Sequence, residues 1–249
     1  LKMLKITPFL EISTFGFASG GAGIGGSSSF LLSLIAALNR CFNKKLSKYE
    51  QAELASIIEI DRLSKPIGRQ DQFLCCNGSI SVLKFEKNGK VTKQKITSAK
   101  EKVIDKVIEN LYLIPSFITR KTDSVLRNLK NDPLSIDQFL EIRKISENFI
   151  KLEEDREHIL EEKFHLSVKE SWEIKKTMSK VMNKDLNERF DFINQAVPNN
   201  WIRLLGAGAG GYFLVSIKDD ISNPQELMIS KGIVDFIKAS KSEAGLTSC

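Results

Sequence analysis

The sequence predicts an α+β protein built in two parts, and three observations carry that prediction. The first hundred residues alternate short apolar runs with glycine-rich and Asn-Gly turns, the pattern of a sheet carrying helices. From about Ser98 the texture changes to long, charged segments with helical periodicity. Further on, a second glycine turn at 206–211 runs into an apolar strand at 212–215. With 249 residues and 42% hydrophobic content, the chain can fill one large core or two small ones. The expected domains are 1–100 and 101–249, with no low-complexity linker and no repeat at solenoid periods.

In chain order, residues 11–17 alternate and read as a strand leading into Ser19-Gly20-Gly21-Ala22-Gly23-Ile24-Gly25-Gly26-Ser27-Ser28-Ser29. Phe30, Leu31, Leu34, Ile35 and Leu38 then recur at the spacing of a buried helix face. Ser47 with Glu50 three residues on is a capping box, opening a helix that runs to Leu63 and stops before Pro66. Residues 67–73, Ile-Gly-Arg-Gln-Asp-Gln-Phe, form a short polar segment with one acid between two glutamines. Asn77-Gly78 turns the chain into a strand over 79–85, and Asn88-Gly89 closes a hairpin onto 91–96.

The second part begins with a helix over 100–109, a buried strand over 110–115 and the loop Ser116-Phe117-Ile118-Thr119-Arg120. A helix over 123–129 follows. Residues 135–165 read as one long helix with Phe139, Ile142, Ile145, Phe149 and Leu152 on a single stripe. Helices over 166–182 and 186–196 precede the second glycine turn, and a last helix and strand occupy 224–237. Trp172 reads as core. His158 and His165 have no ligand spacing and receive no role.

The net charge of +6 comes from 37 basic and 31 acidic residues, interspersed rather than in blocks. Such a balance suits phosphorylated ligands, and no aromatic-basic interleaving marks a single-strand nucleic-acid binder. No apolar run approaches the roughly 20 residues of a membrane span. Leu1-Lys2-Met3-Leu4-Lys5 is no signal peptide, so a cytoplasmic setting is expected. The four cysteines lack metal-type spacing, and adjacent Cys75 and Cys76 suit a reducing compartment. The chain opens on leucine, so its natural N-terminus is expected upstream.

The glycine loop carries the chemistry. Five glycines in positions 19–26 are not packing residues, since glycine costs roughly 1 kcal/mol against alanine inside a helix. They belong where backbone bends sharply or approaches a ligand. Bare N–H groups at a helix N-terminus, with the positive dipole end, make an anion site. The serines add a helix cap and hydroxyls within reach of a metal ion. A glycine-serine linker has similar composition, but a linker does not run into an apolar amphipathic helix. The Walker pattern is absent because no lysine follows the glycines, and no acid sits where a dinucleotide fingerprint requires one.

Three segments in order, Gly21-Ala22-Gly23-Ile24-Gly25-Gly26-Ser27-Ser28, Gly68-Arg69-Gln70-Asp71-Gln72-Phe73 and Leu204-Leu205-Gly206-Ala207-Gly208-Ala209-Gly210-Gly211, resemble the conserved blocks of the GHMP kinases. Within that family the chain looks most like the D-glycero-D-manno-heptose 7-phosphate kinases, on the Gln-Asp-Gln block, Phe117-Ile118-Thr119-Arg120 and Glu170-Ser171-Trp172-Glu173-Ile174-Lys175-Lys176. The resemblance implies a two-domain fold: an N-terminal sheet-and-helix domain, incomplete here, and a C-terminal split βαβ, ferredoxin-like sandwich. The family's first block, an Arg-x-Pro-x-Arg stretch, has no counterpart in the 18 residues before Ser19.

The resemblance also implies roles. The loop Gly21, Ala22, Gly23, Ile24, Gly25, Gly26, Ser27 and Ser28 would wrap the triphosphate of ATP. Ser27 and Asp61 would hold Mg2+, with Asp61 standing in for the family's glutamate. Asp71 would orient or deprotonate the acceptor hydroxyl, and Gly208 and Gly210 would support the substrate. Arg69 and Gln70 flank the acid as candidate substrate contacts, and Arg69 is read alternatively as lowering the pKa of Asp71. Arg120 is read two ways, as a fork on a sugar phosphate or as a surface ion pair. Of Lys175 and Lys176, one would face a cleft and the other solvent. The implied reaction is phosphorylation of a sugar phosphate at its anomeric hydroxyl, in nucleotide-heptose biosynthesis. Kinases of fucose, a uronic acid or galactose, and a non-catalytic nucleotide-binding remnant, are the rival readings.

Overall fold

The computed structural model describes residues 1–7, 9–14, 23–118, 122–241 and 245. They form two compact units: Gly25–Gln94 with the described residues before position 15 and Gly245, and Lys95–Lys241 with Gly23 and Ile24. Among the described residues, no helix is long and apolar enough to cross a membrane.

In the first unit, α1 (Gly26–Cys41) buries Ser28, Leu32, Ile35 and Leu38, a stripe spaced by fours and threes. Phe30, expected on that face, is exposed, because two residues turn a helix through about 200° relative to Leu32. α2 (Lys48–Ser56) opens on the capping box, with Ser47 Oγ accepting from Glu50 N and the Glu50 carboxylate accepting from Ser47 N. It buries Gln51, Ala52, Ala55 and Ser56. A π-helical turn, Ile57–Arg62, continues it and buries Glu59.

α3 (Gln70–Asn77) corrects the sequence reading, since the polar segment at 67–73 runs into a helix that buries Gln72, Phe73 and Cys76. β1 (Val82–Phe85) and β2 (Val91–Gln94) pair antiparallel across the Asn88-Gly89 turn. Leu32, Ile35, Ala52, Ala55, Phe73, Cys76 and Val91 form the apolar core of this unit. The strand expected over 11–17 is not found at 11–14, and its remainder lies outside the described residues.

The second unit carries a four-stranded antiparallel sheet of β3 (Leu111–Pro115), β4 (Asn199–Leu204), β5 (Tyr212–Ile217) and β6 (Ile237–Lys238). Its spatial order is β4-β5-β3-β6. β5 therefore lies between β3 and β4, which helices separate in sequence, and β6 returns beside β3: the split βαβ arrangement. α4 (Ser98–Glu109) precedes β3. Between β3 and β4 run α5 (Thr122–Asn131), α6 (Pro133–Lys151), α7 (Glu157–Thr177) and α8 (Lys184–Ala196), and α9 (Pro224–Ser230) precedes β6.

The single helix expected over 135–165 is two, broken at 152–156. There Glu154 Oε1 accepts from the backbone N–H groups of Asp155 and Arg156, diverting them from the helical ladder. Trp172, Leu186, Ile193, Leu204, Phe213 and Val215 are among the residues that make this unit's core.

Candidate active site

The buried stripes of α1 and of α2 with its π-helical turn each end in polar residues, and those residues meet. On the second stripe Ala52, Ala55, Ser56 and Glu59 recur at three- and four-residue spacing, so Glu59 occupies a core position and is 1% exposed. Ser28 ends the α1 stripe and is also buried. A buried carboxylate requires hydrogen-bonded compensation, and Glu59 has it. Its Oε2 accepts from Ser28 Oγ at 2.7 Å and Gln72 Nε2 at 2.6 Å. Its Oε1 accepts from Ser27 Oγ at 2.6 Å and Lys65 Nζ at 3.1 Å. Lys65 Nζ also donates to Ser27 Oγ at 2.7 Å.

The π-helical turn brings Lys65 there. Leu63 N donates to Ile58 O, Ser64 takes φ 50, and Lys65 N folds back onto Glu59 O at 3.0 Å. Burial pushes the Glu59 carboxyl up, but donors Ser27, Ser28, Gln72 and Lys65 outweigh burial and hold it below the usual range.

Two helix N-termini converge beside this cluster. Gly25 caps α1 at φ 74, a conformation costly for other residues, and among the described residues no side chain caps the helix. The serines expected to cap it turn Ser27 and Ser28 onto Glu59 instead. The backbone N–H groups of Gly26, Ser27 and Ser28 therefore stand among the orphan donors of the first turn. Asp71 lies in the first turn of α3. A β-carbon placed on Gly25 would sit 3.7 Å from Asp71 Cβ and Cγ and 3.6 Å from Cys75 Sγ, so the loop end abuts the acid. Burial raises the Asp71 carboxyl above its ordinary value, a hydrogen bond from Gln70 lowers it, and the charge of Glu59 raises it further.

The sequence motif of the GHMP kinases N terminal domain matches residues 4–79, a span that holds Ser27, Glu59 and Asp71. This segment is similar to the N-terminal domain of the GHMP kinases. A D-glycero-alpha-D-manno-heptose 7-phosphate kinase of Campylobacter jejuni subsp. jejuni serotype O:2 is 28% identical over 208 residues, 81% of this chain and 59% of that protein. The chain thus spans less than two thirds of the length of that relative. Among solved structures, the Methanococcus jannaschii mevalonate kinase superposes with a TM-score of 0.63 at 21% identity, covering 88% of this chain and 64% of that one. A D-glycero-D-manno-heptose 1-phosphate kinase from Bacteriodes thetaiotaomicron superposes at 0.59 and 18% identity, covering 92% and 63%. The α+β architecture is that of the GHMP kinases.

Set beside the residues expected from sequence, the structure brings together Gly25, Gly26, Ser27, Ser28 and Asp71. Gly21, Ala22 and Arg120 lie outside the described residues, while Gly23 and Ile24 are bends before α1. Asp61 is the main correction. It is exposed and not among the groups around Ser27, because two residues beyond Glu59 point to the opposite side of a helix. Glu59 is the acid of the cluster, and the missed signal was a glutamate at a core position of the apolar stripe.

Gln70 is exposed at the start of α3. Arg69 is a strut: it pairs with Glu53, donates to Gly89 O at 2.6 Å and lies 5.4 Å from the Phe73 ring centre. It is not among the groups acting on Asp71. In the second unit, a β-carbon on Gly208 would lie 2.6 Å from Val181 Cα, and one on Gly210 would collide with Ile118 O. Both glycines are thus explained by backbone packing. Lys175 Nζ donates to Gly206 O at 2.6 Å, while Lys176 pairs with Glu173 at 2.5 Å.

The donor set of the first unit fits a small hard cation. Ser27 Oγ and Glu59 Oε1 are two oxygens 2.6 Å apart, and Mg2+ usually takes one or two protein oxygens plus phosphate and water. Among the described residues no three His, Cys, Asp or Glu side chains converge.

Proposed function

We propose that this chain belongs to an ATP-dependent sugar kinase that transfers the γ-phosphoryl group to the anomeric hydroxyl of a sugar phosphate. The acceptor class we assign is D-glycero-D-manno-heptose 7-phosphate. The two expected domains then correspond to the N-terminal and C-terminal domains of such a kinase. The observation that carries the reading is the meeting of the uncapped α1 N-terminus with Asp71 beside the Ser27–Glu59 oxygen pair.

Phosphoryl transfer asks a protein mainly for positioning and charge compensation. In this reading the N–H groups of Gly26–Ser28 and the α1 dipole receive the phosphates. Ser27 and Glu59 would hold Mg2+, which would supply charge neutralisation to the triphosphate. Asp71, whose carboxyl burial has raised, accepts the proton of the acceptor hydroxyl or fixes its direction. The C. jejuni relative supports the choice of acceptor, as do the Gln-Asp-Gln block and residues 170–176.

A panel of free and phosphorylated sugars, incubated with the chain and MgATP and read by 31P NMR, tests this. The expected product is heptose carrying a second phosphate on its anomeric carbon. A preference for free galactose, fucose or a uronic acid would overturn the acceptor. Absence of transfer to every sugar, with no MgATP binding, would overturn the kinase reading.

A further inference from the structure

The oxygen pair assigned to a divalent cation already carries a positive charge supplied by the chain. We infer that Lys65 is a built-in counter-cation of the Ser27–Glu59 pair, and that a divalent cation binds there only by displacing its ammonium group. The inference rests on the metal reading above and adds a competitor to it.

Atom-by-atom hydrogen bonding carries the argument. A carboxylate offers about four acceptor positions and a hydroxyl one donor and two acceptors. Glu59 Oε2 is occupied by two neutral donors, Ser28 Oγ and Gln72 Nε2. Glu59 Oε1 accepts from one neutral donor, Ser27 Oγ, and from Lys65 Nζ. Ser27 Oγ spends its proton on Glu59 and accepts from the same ammonium at 2.7 Å. The cationic donor is therefore confined to the two oxygens a metal would use, and the other carboxylate oxygen is fixed by neutral groups.

A divalent ion on that pair would face the ammonium at contact distance, and like charges so placed repel strongly. Lys65 can leave. Its side chain is 29% exposed against 1% for Glu59, and its four-carbon stem reaches water easily. Affinity falls by the fraction of time the site is competent, so an ammonium holding the pair roughly nine-tenths of the time weakens metal binding about tenfold.

Mn2+ binding to the nucleotide-free full chain, followed by loss of the free-ion EPR signal, tests this. The samples are wild type, Lys65→Met, Lys65→Arg and Glu59→Gln. Lys65→Met should bind Mn2+ about tenfold more tightly than wild type, and Lys65→Arg, which keeps the charge, should not tighten. Glu59→Gln should lose binding. In the wild-type chain, amine acylation of Lys65 read by mass spectrometry should accelerate when Mn2+ saturates the site, a measurement that needs no variant to fold. Equal affinity in Lys65→Met and wild type, or acylation indifferent to Mn2+, overturns the competition while leaving the metal site standing. Wild-type affinity in Glu59→Gln overturns the metal reading and the competition together.

Discussion

The two glycine-rich turns look alike in sequence and use glycine for different reasons. In the second unit, a β-carbon on Gly208 or Gly210 would strike the backbone of Val181 or Ile118. Ala209 N and Gly211 N donate to the carbonyls of those same residues at 2.7 and 3.2 Å. That turn is spliced into its own unit. In the first unit, a β-carbon on Gly25 would find only ordinary contacts at 3.6 Å and beyond, and one on Gly26 would meet nothing within 4 Å. A glycine filled from behind by protein is a packing device, whereas glycines with open space before orphan amides leave room for a ligand.

The sharpest way to break this comparison is Gly210→Ala. The added methyl collides with the Ile118 carbonyl, so the second unit should lose about 4 kcal/mol or more in urea unfolding. Unfolding at the wild-type midpoint would show that the turn is not packed as described. Glu59→Ala comes next. It strands Ser27, Ser28 and Gln72 without their acceptor, and stability of the first unit should fall by about 3 kcal/mol.

Glu59 also sets a pH dependence. Its carboxyl is held below the ordinary range, so its contribution is present above the unfolded value and is lost as pH falls through the folded one. Glu59→Gln should flatten the acid limb of a stability–pH curve, and an unchanged limb would contradict the assignment.

Gly25→Ala forces a left-handed residue at the helix cap and should cost about 1–2 kcal/mol. Gly26→Ala is the smallest perturbation of the fold. Its methyl enters open space, so the thermal midpoint should hold or rise slightly while MgATP affinity, read by calorimetry, falls. Affinity unaffected in Gly26→Ala would mean that the α1 amides are not the phosphate cradle.

Particular residues show what the sequence made legible. The capping box at Ser47 and Glu50, the Asn88-Gly89 hairpin and the buried Trp172 follow from local rules and stand in the structure. The glycine loop was readable as an anion site from its bare amides at a helix start, whereas Ser27 and Asp71 were singled out only through the resemblance to the GHMP kinase blocks. Glu59 left one mark in the sequence, a glutamate at a core position of the apolar stripe, but its donors Ser27, Ser28, Gln72 and Lys65 come together only in three dimensions. Asp61, two residues on, had the right charge on the wrong side of the helix. The first turn of α3 was hidden by its polarity, and the break at 152–156 by its continuous helix-forming composition. Lys65 was unreadable because the π-helical turn that aims it leaves no mark in composition.

Asp71 gives the most direct test of the central claim, that the α1 N-terminus, the Ser27–Glu59 pair and Asp71 form one phosphoryl-transfer centre. Its carboxyl is raised by burial and by Glu59, so above the ordinary carboxylate range its charge costs folding stability. Asp71→Asn removes that cost, so the chain should be at least as stable as wild type at neutral pH. The decisive measurement pairs MgATP calorimetry with phosphoryl transfer in Asp71→Asn. We expect wild-type nucleotide affinity with transfer reduced by about 10²–10⁴. Transfer at the wild-type rate would contradict the account.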